Sequence, residues 1–209
     1  MYNVMLLGCK RTDPIYQAFR NRHYVPNKGA IGQQIHYIIY LDCIPVGIIS
    51  GGSAVYATKP RDEFFGITKH NRTIALNGII NNTVFRLERN LPNLGTQILA
   101  MWRRQIVVDW VSKYHVIPCG FETFIIENER RKGAMYKADN WAYVGNTSGN
   151  TKMHLHGIDK EFQRMSNIPK LIFCKRIRGG HLPQEYHSSW KVEKSIITPC
   201  KTGEQLLLF

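Results

Sequence analysis

The stretch Leu94–Tyr114 carries the longest helical pattern in the chain and stands between two β-rich runs, so the fold must lay a long helix against a sheet. Ile98, Met101, Trp102, Gln105, Val108 and Val111 fall near the i, i+3, i+4 series, which predicts that this stripe packs inward while Arg103, Arg104 and Lys113 face out. The run before it, 84–88, sets Arg86 between Phe85 and Leu87, and strand alternation points the guanidinium away from those two side chains. The run after it, 121–126, is apolar except for Glu122. A lone acid in such a run is paired, exposed at a strand end, or functional.

The remaining elements follow from local signals. Residues 2–9 read as a first strand, and Asp13-Pro14 opens a helix that reaches Arg20. Arg22-His23-Tyr24-Val25-Pro26 leaves that helix, because the residue before proline favours extended backbone. Runs 34–42 and 44–50 read as a hairpin, 54–69 as irregular, and 77–83 as rich in turn formers. After 121–126 come a basic loop over 127–132, a glycine at 133, one or two helical turns over 134–138 and a strand from Tyr143. His154 and His156 share one side of an extended segment, a pairing more often surface than metal site. Residues 170–177 read as a last strand, and no core period survives beyond Arg178. One domain over 1–177 and a tail over 178–209 are therefore expected.

Charge says more about partners than about fold. Twenty-eight Lys and Arg against fifteen Asp and Glu leave a formal +13, which points to a polyanion, most plausibly nucleic acid, over a merely solvated basic surface. There is no apolar run of about 18 residues and no charged-then-apolar N-terminal pattern, so the reading is a cytosolic protein without a membrane span. Five scattered cysteines without a CxxC pair read as reduced thiols. The turn Asn93-Leu94-Gly95-Thr96 places backbone N–H groups at a helix start, a natural though unspecific seat for phosphate.

The order of elements resembles the GNAT acetyltransferase fold, an α/β (α+β) arrangement of a mixed, twisted sheet with helices on both faces. That likeness implies acetyl-CoA or a related acyl-CoA at Asn93, Leu94, Gly95 and Thr96, although the family's Arg or Gln, x, x, Gly, x, Gly or Ala signature is reduced here to Gly95. Arg22-His23-Tyr24, Asn81-Asn82-Thr83, Leu91-Pro92-Asn93-Leu94, Glu122-Thr123-Phe124, Gly133 with the run 135–141, and Tyr143-Val144-Gly145 together resemble phage Mom-type DNA adenine modification proteins and their relatives in the Druantia anti-phage system, over roughly residues 20–177.

That second resemblance implies conversion of adenine in DNA to its N6-carbamoylmethyl form, an anti-restriction activity. It puts the family tyrosine on Tyr136, the His-Tyr pair on His23 and Tyr24 and the fourth-strand arginine on Arg86. The family's acid falls on Glu127 or on Glu122. His23, Tyr24 and Glu127 would then suit iron(II), while Tyr136, Arg86 and Glu122 would serve the chemistry. Tyr136, Trp141 or Tyr24 would stack on an extruded base. The alternatives are an N-acetyltransferase acting on a small molecule or protein, and a non-catalytic DNA-binding component of a defence system. The C-terminus, with Gln205, Leu206, Leu208 and Phe209, resembles the short peptide by which polymerases bind the bacterial sliding clamp. Docking of that apolar end on its own domain is the competing expectation.

Overall fold

The computed structural model describes residues 2–26, 32–149 and 167–184. Seven strands form one sheet: β1 (Val4–Cys9), β2 (Gln34–Leu41), β3 (Ile44–Ser53), β4 (Ile79–Leu87), β5 (Gly120–Ile126), β6 (Ala142–Asn146) and β7 (Lys170–Arg176), in the order β1-β2-β3-β4-β5-β7-β6. All neighbours are antiparallel except β4 and β5. Those two pair only through Ile79 with Gly120, Ile80 with Phe121 and Asn81 with Glu122, and beyond that seam they part into a wedge.

Among the described residues five α-helices accompany the sheet: α1 (Pro14–Arg20), α2 (Lys59–Phe65), α3 (Arg72–Ala75), α4 (Leu94–Tyr114) and α5 (Ala134–Ala138). The α1 helix starts as its sequence dictates, with Pro14 in the first turn and the Asp13 carboxylate accepting from Ile15 N at 2.9 Å and Tyr16 N at 3.2 Å. Such a cap is worth about 1 kcal/mol. Among the described residues no helix is long and apolar enough to cross a membrane.

One face of the sheet carries α4 and α5 over the largest core, where Trp102, Trp110, Ile39, Ile49, Ile80, Phe121 and Phe173 are buried. The α4 stripe is rotated from the expected one. Ile98 and Trp102 do pack inward, but their companions are Leu99, Ile106 and Trp110, whereas Val108 is 62% exposed and Val111 37%. The glycine at position 51 explains the seating: a Cβ there would collide with Ile106 and Ile80, so the helix rests directly on the backbone of β3. The large aromatic Trp102 and Trp110 outweigh Val108 and Val111 for that contact.

The opposite face holds two smaller cores. α1 places Tyr16 and Phe19 on Ile38, Ile48 and Val84, while α2, α3 and the 3-10 turn Leu76–Gly78 place Phe65, Ala75 and Leu76 against Ile79, Ile172 and Cys174. The segment expected to be irregular over 54–69 therefore contains α2, ended by Gly66 in the left-handed region at φ 77°. The turn-rich reading of 77–83 also gives way, because β4 begins at Ile79 and buries Asn81 and Asn82.

Candidate functional site in the wedge between β4 and β5

Where the strands part, their backbones can no longer satisfy each other, and three polar side chains take over. A register shift in the β3–β4 pairing between Ser50 and Gly51 turns Asn82 so that its Nδ2 donates to Ser50 O at 3.0 Å and Val84 O at 3.3 Å. Across the gap, Thr123 Oγ1 donates to Asn82 O at 3.1 Å, and the Tyr136 hydroxyl donates to Asn82 Oδ1 at 2.6 Å. The Tyr136 ring lies 5.1 Å from Trp141 edge-on and is stacked at 5.9 Å on Phe173. Burial pushes the Tyr136 phenol well above its ordinary range, against a smaller opposing effect of Thr123, so it keeps its proton at physiological pH.

A helix of five residues does not hold itself together, so α5 is fixed at its ends. Gly133 enters it at φ 73°, where an added Cβ would also collide with the Phe173 ring. At the far end the Asp139 carboxylate takes two bonds from Arg103 of α4, at 2.6 and 2.7 Å, and one from the Trp141 indole at 2.8 Å. A bidentate arginine pair of this kind fixes orientation as well as distance. Lys175 Nζ adds a bond to Asp139 O at 2.5 Å.

The mouth of the wedge is arginine-rich. Arg20 ties down the chain after α1 by donating to Val25 O at 2.6 Å and Pro26 O at 2.8 Å. That turn carries His23 and Tyr24, whose ring centroids are 4.5 Å apart, and the Arg131 guanidinium lies over the Tyr24 ring, 4.0 Å from its centroid. The Tyr24 hydroxyl meets the backbone of Ile126 at the open end of β5, and burial pushes its phenol up. From β4, Arg86 bonds to Arg22 O and to Glu88 at 3.0 Å, while Arg22 reaches the same Glu88 oxygen at 3.0 Å. His23 Nδ1 accepts from Val25 N at 3.1 Å. Burial first, then Arg20, Arg86 and Arg131, lower the His23 pKa to about 4, so the ring is neutral at pH 7.

Four of the residues expected from sequence thus converge on the wedge: Tyr136 at its floor, with His23, Tyr24 and Arg86 at its mouth. Arg86 does point away from Phe85 and Leu87, which pack with the α4 core. Glu122 lies on the other face of the sheet, fully buried, ion-paired with Arg61 and accepting from Val55 N at 2.7 Å. Of the ligand set expected to hold iron(II), His23 and Tyr24 are neighbours with ring centroids 4.5 Å apart, while Glu127 is exposed just after β5; no group of three or more His, Cys, Asp or Glu that could hold a metal ion occurs among the described residues. The arginines that depress His23 also oppose a cation there.

At the start of α4, Asn93 adopts the left-handed conformation at φ 60°, Leu94 is fully buried, and Thr96 is half-buried. A Cβ on Gly95 would come within 2.7 Å of Met135 Sδ, so this glycine admits α5. Of the three aromatics expected to stack on a base, Tyr136 and Trp141 are buried, and Tyr24 is already in contact with His23 and Arg131. His154, His156, Gln205, Leu206, Leu208 and Phe209 lie outside the described residues. Sequence reasoning passed over Asn82, Thr123, Arg131 and Asp139 as site residues. Asn82 and Asp139 carried the wrong signal, because both residue types ordinarily mark turns and caps.

This sheet, split by a parallel seam with a long helix crossing from β4 to β5, is the GNAT acetyltransferase fold. An aminoglycoside acetyltransferase in complex with coenzyme A superposes with a TM-score of 0.52 at 13% identity, covering 84% of this chain and 96% of that one. A GNAT family acetyltransferase from Elizabethkingia anophelis with acetyl-CoA bound gives 0.50 at 7% identity, covering 84% and 99%. Residues 5–170 match the family described as Druantia protein DruA, and the chain belongs to that family. No curated protein matches it.

Proposed function

We propose that this protein is an acyl-coenzyme A-dependent transferase whose acceptor is adenine N6 in DNA, giving an N6-acyladenine with coenzyme A as the leaving thiol; the N6-carbamoylmethyl form of the Mom-type resemblance, whose N6 carries a methylene instead of a carbonyl, is not reached by that step alone. The observation that carries the reading is the wedge itself: a proton-holding phenol at the floor and arginines at the mouth. The residues fit an acyl-coenzyme A in two respects. The strands part where an extended arm would take the place of a missing strand, and the next element after β4 is the N-terminus of α4, whose Asn93 makes no side-chain cap hydrogen bond. Bound there, the cofactor supplies an activated carbonyl.

The chain's own groups do the rest. The Tyr136 hydroxyl is a fixed donor, held by Asn82 and kept protonated by burial, which suits general acid catalysis. Neutral His23 is available as a proton acceptor once its bond from Val25 N is exchanged. Arg22, Arg86 and Arg131 give the mouth a charge suited to phosphates, and extrusion of the base is required because N6 lies within the stack. The same charge weighs against a polycationic small-molecule acceptor, since Arg22 and Arg86 share the Glu88 carboxylate and Arg131 lies over the Tyr24 ring. Glu122 stands outside this set as a structural acid.

Mass spectrometry of nucleosides from cells expressing the protein, against cells without it, is expected to reveal a deoxyadenosine with added mass. Ordinary deoxyadenosine alone, from cells holding soluble protein, overturns the DNA acceptor. Acetyl transfer to small amines by the purified protein would replace it with the small-molecule reading.

A further inference from the structure

The sheet ends in two edges that differ in their protection. β6 is short, its pairing with β7 is shifted between Tyr143 and Gly145, and Gly145 sits at φ 133°. A bulged, glycine-bearing strand is a poor template for another strand. β1, although it carries Gly8, has neither a bulge nor a residue in the left-handed region. Its six residues, Val4 to Cys9, include no charge and no proline, and its six pairs with β2 run without a shift. Val4 and Leu6 turn toward the α4 core, while Met5 and Leu7 are 47% and 49% exposed on the other face, beside the ground that α1 covers. Among the described residues no strand lies on the outer side of β1.

We propose that β1 is the interface of a homodimer, pairing antiparallel with β1 of a second copy so that the two sheets become continuous. The occupant follows from charge and symmetry. On a chain with a formal +13, an uncharged six-residue edge offers nothing to an acidic partner, whereas it is complementary to itself. An antiparallel register centred on Leu6 sets Met5 of each copy opposite Leu7 of the other and gathers four half-exposed apolar side chains on one face. The same register leaves Lys10 opposite Tyr2, so no like charges meet across the strands. Backbone hydrogen bonds supply register, and the apolar stripe supplies the driving force. Because each copy repels the other at long range, salt tightens this association, the reverse of its effect on binding a polyanion.

Sedimentation velocity on the full chain, from about 1 to about 200 μM at low and high salt, tests the proposal. The wild type is expected to show a concentration-dependent dimer that strengthens with salt. Leu7→Lys is expected to raise the dissociation constant at least about tenfold, with Tm unchanged at a concentration where both proteins are monomeric, because the side chain is half-exposed. Val108→Lys adds the same charge at an exposed position of α4 and is expected to leave the dimer unchanged. Backbone amides of β1 should gain exchange protection only as concentration rises. A monomer throughout the range, equal effects of the two lysines, or β1 amides protected at low concentration by the chain's own residues would each overturn the proposal.

Discussion

Arg61→Met is expected to lower stability by about 3–5 kcal/mol, a fall in Tm of roughly 6–20 °C for a chain of this size. Arg61 is completely buried at the start of α2, where it bonds Glu122 across the sheet face, Asp62 Oδ1 at 2.7 Å and Val55 O at 2.5 Å. Asp62 in turn holds Arg72 of α3 at 3.0 Å. Methionine fills much of the volume but leaves the fully buried Glu122 carboxyl with only the Val55 N–H bond. Burial already pushes Glu122 up to about 7, with Arg61 resisting the shift. A carboxyl raised above its unfolded value contributes stability that is complete below about 4.5 and is lost as pH rises through about 7. Removing Arg61 pushes the group higher still, so the variant's deficit should be smaller at pH 5.5 than at pH 8. Melting curves at both values check this. The double variant Arg61→Met, Glu122→Leu should recover much of the loss, because a buried pair replaced by apolar groups is often neutral. A deficit within about 0.5 kcal/mol for the single variant would show that the network holds nothing in place.

Tyr136→Phe is expected to lower turnover by about 10²- to 10⁴-fold, the range of a general acid, while the protein remains folded. The ring keeps its contacts with Trp141 and Phe173, and Asn82 keeps its two Nδ2 bonds to the backbone. What disappears is the donor to Asn82 Oδ1, at a cost of about 1–3 kcal/mol for a buried acceptor left unmade. Thermal melting and the nucleoside assay, run side by side, separate the two effects. Full modification by a folded Tyr136→Phe protein would place the chemistry elsewhere.

The contrast between these two residues marks what the sequence could and could not reveal. Tyr136 sits in a run whose helix, strand and glycine were each legible, and α4, β5 and β7 emerged within a residue or so of their expected limits. Their signals are local, resting on apolar periodicity and on the conformational freedom of Gly133. Arg61 gave no such signal, because a charge followed by Asp62 and Glu63 looks solvated until a partner sixty-one residues away, Glu122, is brought beside it. Asn82 failed for the opposite reason. Its residue type favours turns, and only the parting of β4 from β5 creates a buried demand for an amide. Non-local pairing also decided the orientation of α4, since nothing in its own stripe records that Gly51 waits beneath Ile106.

The short seam between β4 and β5 has a mechanical corollary. Three rungs join them, against eight between β2 and β3 and seven between β5 and β7, so the sheet consists of two stiff leaves with a compliant spine. Bending is concentrated at that spine, and its angle is set less by strand pairing than by the cross-ties from Thr123 and Tyr136 to Asn82. Those two ties hold the wedge where strand pairing no longer does, beneath the α4 core that both leaves share.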